Sequence, residues 1–261
     1  MRPTINNGIY DELADAWWDE KAFLHLLKAM VNPWRVPYFK KALTKHYGQD
    51  LSQVLLLDIG CGGGVLTEEF ARMGCQTAGI DISPRSIAVA QAHANQSGLS
   101  IDYRTGEATN LPFEARSFEA VSCCDMLEHV PDWKQVLAEA SRVLKPGGLF
   151  FFDTINRTLK SRATFIYGLQ ESSLTKLMPA NTHIWEMFIT PNEVGTTLRL
   201  HGMTVEDMQG GKIAKNPLAT LWDVRQQKQG KITFAELGRR LELKLDKDLS
   251  LNYLGYARKA V

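Results

Sequence analysis

The chain has 261 residues, with 30 basic and 29 acidic side chains and a formal net charge of +1. That length suits one large α/β domain or a domain with an appended lobe, and the even charge balance leaves no electrostatic footprint for nucleic acid. Cys61, Cys75, Cys123 and Cys124 lack metal-type spacing and predict a reducing, cytoplasmic setting without disulfides; no secretory signal or membrane-spanning run is read.

Residues 11–31 alternate charged and apolar positions at helical spacing, with Trp17, Trp18, Phe23, Leu24 and Leu27 as the apolar members. Asn32-Pro33 interrupts this stretch, and a second helix is predicted over 34–47. The two form an N-terminal helical lid (1–48) able to cover a crevice. Taken singly, each tryptophan reads as a ring packed on the sheet.

Residues 53–59 form an apolar run typical of a buried parallel strand. A glycine-dense turn follows, then a helical spacing from Val65. A dinucleotide fingerprint needs G-x-G-x-x-G. From Gly60 that register reaches Gly62 and then Val65; from Gly62 it reaches Gly64 and then Thr67. The third glycine is missing both times. What stands there is Asp58, Gly60, Gly62 and Gly64, and an acid just before the turn suits a cationic ligand better than a diphosphate.

A second strand (76–81) ends in Asp81, whose carboxylate can accept both hydroxyls of a ribose. Ser83 caps the next helix, with Pro84 in its first turn, and Gly98 closes it. Residues 101–108 read as a third strand carrying Glu107 near its end. Residues 118–124 read as a fourth, running into Asp125, Met126, Glu128 and His129. Asp132 caps a helix to Leu144, and 149–153 is a fifth strand. Strands alternating with helices predict a parallel, doubly wound core over 49–155. Ligands of such sheets bind outside the carboxyl ends of the strands, where Gly60, Asp81, Glu107 and Met126 fall.

Phe165, Ile166, Leu169, Leu174, Leu177 and Met178 give 156–190 a helical spacing. The segment reads as a core-packing helix, as a cap inserted over the substrate, or as a peripheral membrane contact. Residues 191–261 complete the same domain with a helix opened by Thr190-Pro191-Asn192-Glu193 and strands over 203–209 and 249–259. Between those strands, 210–248 is a polar excursion with a short helix near 234–243.

The motifs Asp58-Ile59-Gly60-Cys61-Gly62-Gly63-Gly64, Asp81, Leu111-Pro112-Phe113, Met126 to Pro131 and Leu144 to Gly148 resemble those of class I methyltransferases. Trp17-Trp18-Asp19, Asn32-Pro33-Trp34-Arg35, Thr154-Ile155-Asn156-Arg157, Thr182-His183 and Phe188-Ile189 look like those of the ubiquinone-biosynthesis O-methyltransferases, a likeness spanning about residues 10–210. The resemblance implies a Rossmann-like α/β fold: a doubly wound, mostly parallel seven-stranded sheet with N-terminal helices and an inserted helical cap.

The resemblance also implies S-adenosylmethionine (SAM) as cofactor. Arg35 would pair with the methionine carboxylate, Asp58, Gly60, Gly62 and Gly64 would form the turn, Asp81 would hold the ribose, and Met126 would pack on the adenine or methionine moiety. The position of Glu107 suggests that it receives the adenine amine. Some members bind magnesium through a segment matching Asp125, Glu128 and His129, with aspartate here in place of glutamate. The implied substrate is a small phenol or quinol, polyprenylated in that family, with His129 or His183 as base. Without the resemblance, Glu128-His129 reads as a pair at a helix start. The rival readings are C-, N- or O-methylation of another small metabolite, and a SAM-binding protein without catalysis.

Overall fold

Apolar side chains on both faces bury a strand in the middle of a sheet, and β1 (Leu55–Ile59) is buried from Leu56 to Ile59. The computed structural model describes residues 5–261. β1 pairs in parallel with β2 (Gln76–Asp81) on one side and β4 (Phe118–Cys124) on the other. β3 (Ile101–Thr105) extends the sheet beyond β2, and β5 (Leu144–Ile155) beyond β4, both in parallel. β8 (Asn252–Lys259), β6 (Met203–Ile213) and β7 (Leu243–Asp246) follow, each antiparallel to its neighbour.

The order β3-β2-β1-β4-β5-β8-β6-β7 makes eight strands, one more than the seven expected. β6 runs on to Ile213, and Gly210–Ile213 pair with β7 inside the stretch read as a polar excursion. Sequence patterning missed β7 because only two alternating leucines, Leu243 and Leu245, mark this short and largely exposed edge strand. The order reverses between β1 and β4, which places a crevice beyond Ile59 and Cys124.

Period-two alternation lets one strand feed two cores. Phe150 and Phe152 of β5 pack on one face, with α5 (Trp133–Val143) and α7 (Pro191–Leu200). Leu149 and Phe151 pack on the other, with α2 (Asn32–Tyr47) and α3 (Thr67–Arg72).

Helix starts follow the caps read from sequence. Ser83 caps α4 (Pro84–Gln96), Asp132 caps α5 and Thr190 caps α7, each accepting a backbone N–H three residues on. Glu193 reciprocates to the Thr190 backbone, completing a capping box. Thr190→Ala is therefore expected to destabilise the fold by about 1 kcal/mol, read as a lower midpoint in urea unfolding.

The predicted helix over 11–31 is instead α1 (Gly8–Glu12), a 3-10 turn (Ala14–Ala16) and a π-type turn (Leu27–Val31) that runs into α2. Its aromatic residues do not form one stripe, because the segment wraps over the glycine turn. Asn32-Pro33 starts α2 rather than interrupting a helix, since proline lacks only an N–H that the first turn leaves unpaired. β3 ends at Thr105 and β4 at Cys124, so Glu107 and Met126 lie in the loops beyond their strands.

Past β5 come one turn, α6 (Leu159–Ser161), and a π-type helix (Arg162–Glu171). The excursion holds two helices, α8 (Pro217–Lys228) and α9 (Phe234–Leu241). Val224 and Leu237 of this pair join Leu26 and Met30 of the lid and Leu177 of the insertion in a separate apolar cluster. Among the described residues no helix is long and apolar enough to cross a membrane.

Candidate active site

Gly60, Gly62 and Gly64 have φ of +73°, +51° and +80°, where a Cβ is strained. Space is equally tight. A Cβ on Gly60 would meet Met126 Cγ at 2.4 Å, and one on Gly62 would meet the Trp17 ring at 2.5 Å. The lid thus lies directly on the turn. Trp18 Nε1 donates to the Gly63 carbonyl at 2.9 Å and its ring stacks on His93, while Trp17 Nε1 donates to Ser86 Oγ at 3.0 Å.

Two carboxylates shape this side of the crevice. Asp58 is buried and accepts from the hydroxyls of Thr67 and Ser122, both at 2.6 Å. Burial raises its pKa, against those two hydrogen bonds. Asp81 accepts from the backbone N–H of Gly62 and of Ser83, each at 2.9 Å. A carboxylate has about four lone-pair sites, so Asp81 ties down the turn and keeps acceptor capacity for a ligand. Glu107 is exposed at the rim beyond β3.

Arg35 is anchored from three directions. Its Nε donates to Asn32 Oδ1 at 2.9 Å, and its Nη1 to Asp125 at 2.5 Å and Asp153 at 3.0 Å. Burial pulls the guanidinium's pKa down, but Asp125 and Asp153 outweigh this and hold it above the ordinary arginine range. Asp125 has φ +50° and donates its N–H to Asp153 Oδ1 at 2.8 Å. This bend at the end of β4 turns the next residues inward.

Those next residues are Glu128 and His129, on a 3-10 turn (Leu127–His129). Glu128 accepts from Thr154 Oγ1 at 2.7 Å. Burial, then the neighbouring Asp125, pushes its carboxyl up to about 8. His129 Nε2 lies 3.2 Å from the Tyr10 hydroxyl, and its carbonyl accepts from Asn7.

The insertion brings His183 alongside, with ring centroids 5.1 Å apart. Gln170 fixes the His183 backbone by accepting from its N–H at 2.6 Å and donating to its carbonyl at 3.1 Å. Burial holds His129 well below the usual imidazole range and, against Asp125, pushes His183 down to about 4. Both rings are therefore neutral proton acceptors near pH 7.

One cavity of about 440 Å³ connects these groups. Gly60, Asp58 and Arg35 line it beside Glu128, His129 and His183, and Phe165, Leu177, Leu221, Val224 and Leu241 continue it as an apolar channel. Asp81, Gly62, Gly64, Glu107 and Met126 are outside its lining; Trp17 lies against Gly62, and Met126 lies against Gly60. Sequence reasoning missed Tyr10, Thr154 and Asp153 as partners of His129, Glu128 and Arg35. Only Asp153-Thr154, at the end of a predicted strand, carried a signal that could have found them.

The magnesium set read from the sequence is not gathered here. One ligand atom each of Glu128, His129 and His183 lies within 4.8 Å of the others, and Asp125 is not in that group. Its carboxylate is instead paired with Arg35. Two imidazoles and one carboxylate are a poor match for magnesium, which prefers oxygen ligands.

The glycine turn, the acid ending β2 and the switch point between β1 and β4 define a class I SAM-dependent methyltransferase. The family described as Methyltransferase domain matches residues 57–152. A SAM-dependent methyltransferase from Methanosarcina mazei is similar in fold at TM-score 0.56 and 19% identity, over 84% of this chain and 97% of that one. The [4+2]-cyclase SpnF is as similar, at 0.57 and 18%, over 100% of this chain and 98% of that one, so the fold alone does not fix the reaction.

Sequence relatives do. The ubiquinone biosynthesis O-methyltransferase of Methylobacterium sp. (strain 4-46) is 36% identical, covering 82% of this chain and 86% of the relative. That of Hahella chejuensis is also 36% identical, over 96% and 92%. The chain belongs to the ubiquinone biosynthesis O-methyltransferase family and is a SAM-dependent O-methyltransferase.

Proposed function

We propose that the chain transfers the SAM methyl group to a phenolic oxygen of a small aromatic quinone precursor carrying an isoprenoid tail. The observation that carries this reading is the single cavity joining the glycine turn, the imidazole pair and an apolar channel. A polar aromatic head fits beside His129 and His183, and an apolar tail fits between Phe165, Leu177, Leu221 and Leu241.

In this reading Asp81 holds the ribose, Arg35 faces the methionine carboxylate, and Met126, packed on Gly60, borders the sulfonium side; Glu107 at the rim faces the adenine amine. The sulfonium is already a strong electrophile, so the protein's main task is to align the oxygen with the S–CH3 bond. The phenol O–H donates to the imidazole of His129 or His183, the oxygen attacks the methyl carbon, and S-adenosylhomocysteine leaves. Tyr10, bonded to His129 Nε2, and Gln170, bonded to the His183 backbone, keep the rings in place. The exposed Leu218, Leu221 and Trp222 of α8 suit a peripheral lipid contact at the channel's outer end.

Product mass spectrometry tests this, with methyl-labelled SAM and a panel of phenols with and without isoprenoid tails, plus amines and carboxylic acids. Methyl ethers are expected, with KM falling as the tail lengthens. Transfer to nitrogen or carbon only, or none to any phenol by SAM-binding protein, overturns the reading.

A further inference from the structure

We propose that a second cavity, between α2, α9 and β7, receives the far end of the substrate's isoprenoid tail, with Met30 as the gate between it and the catalytic cavity. The proposal rests on the phenol-methylation reading, since a substrate with such a tail is what needs the room. Three observations carry it.

The first is continuity. The second cavity has a volume of about 510 Å³. Met30, Trp34 and Leu243 line both it and the catalytic cavity, so the two share a wall of side chains.

The second is size. At about 440 Å³ the catalytic cavity lies toward the lower end of the range, about 300–1,000 Å³, that takes one drug-sized ligand. Under the proposed function it holds the methionine end of SAM and the aromatic head as well, which leaves room for only the first part of a tail. The path past Leu221 leads to the exposed Leu218 and Trp222 of α8, where nothing of the chain covers an apolar chain. The second cavity supplies that cover.

The third is the chemistry of the shared wall and of what lies beyond it. Ala29, Pro33, Pro37 and Leu245 continue the apolar surface of Met30 and Trp34, which suits a hydrocarbon. Arg239, Glu242 and Lys244 are the charged members, and all three are exposed, so their heads can stay in water. Met30 stands on the π-type turn Leu27–Val31 and is half-buried. Such irregular turns recur at functional sites, and the unbranched methionine side chain adapts its shape to what lies beside it. A change of rotamer at Met30 opens the passage between the cavities without moving the sheet.

The test uses the full chain with SAM and phenols that carry a photoreactive diazirine on the last unit of a short or a long isoprenoid tail. Peptide mass spectrometry after irradiation reads the labelled residues. The short probe is expected to label Phe165 and Leu177, and the long probe Pro37 and Leu245, which line the second cavity alone; excess unlabelled phenol should suppress both. Leu245→Asp puts a carboxylate into that cavity and should raise KM for the long-tailed phenol about tenfold, with little change for the short-tailed one. Circular dichroism and SAM calorimetry show whether the variant is folded; if it is not, the wild-type labelling decides.

Long-probe label on Leu218 and Trp222 in place of the second cavity, or an equal rise in KM for both tails, overturns the proposal. Phenol methylation together with label on α8 sinks the second cavity and leaves the methylation reading intact. Suppressible label in the second cavity without methylation of any phenol supports the tail site and overturns that reading.

Discussion

Asp81→Ala is expected to weaken SAM binding about a hundredfold while the protein remains folded. Two hydrogen bonds from ribose hydroxyls to a carboxylate contribute about 1.5 kcal/mol each, and about 2.8 kcal/mol corresponds to a hundredfold change in Kd. The variant also frees the N–H groups of Gly62 and Ser83, which the carboxylate now holds at 2.9 Å. A looser turn adds to the loss, because Gly62 sits at φ +51° against Trp17. Asp81→Asn, which keeps one acceptor, should fall between the two. Titration calorimetry with SAM decides the matter, and an Asp81→Ala protein with wild-type affinity would refute the ribose role.

The second large effect is on stability. Arg35→Met leaves Asp153 without its cation, in a pair where both side chains are only 3% exposed. Removing one partner of a buried pair costs about 3–5 kcal/mol, because the other charge stays behind. The loss should depend on pH. Burial and Asp153 already raise the Asp125 carboxyl, against Arg35, and without the guanidinium it rises further. A carboxyl whose folded pKa exceeds its unfolded value subtracts stability once pH climbs past the unfolded value of about 4. The deficit of Arg35→Met should therefore be smallest in acid and widen toward neutral pH. Urea midpoints across that range measure it, and a deficit independent of pH would mean that the pair carries little of the effect.

What the sequence announced was local. The strand, turn and helix around Gly60, the cap at Ser83 and the capping box at Thr190 each lie within a few residues, where spacing alone carries the signal. The acid at the end of β2 was legible for the same reason. The site's other half, with Arg35, His129 and His183, was legible only through the family resemblance. His183 meets His129 only because Gln170 and a π-type helix carry the insertion back across β5, and no periodicity encodes that. Arg35 read as a ligand for a carboxylate, and the carboxylates it meets are Asp125 and Asp153 of its own chain. The excursion over 210–248 looked opaque because its residues face partners distant in sequence: β7 against β6, and α8 and α9 against the lid.

That last packing ties three separate parts of the chain into one apolar unit. Leu26 and Met30 belong to the segment lying over the cofactor turn, Val224 and Leu237 to the helical hairpin, and Leu177 to the insertion that carries His183. None of the three can swing outward without stripping apolar surface from the other two. Leu26, Met30, Leu177 and Val224 of this cluster also line the cavity, so under the proposed function a substrate's tail at the apolar end would brace the cover from below.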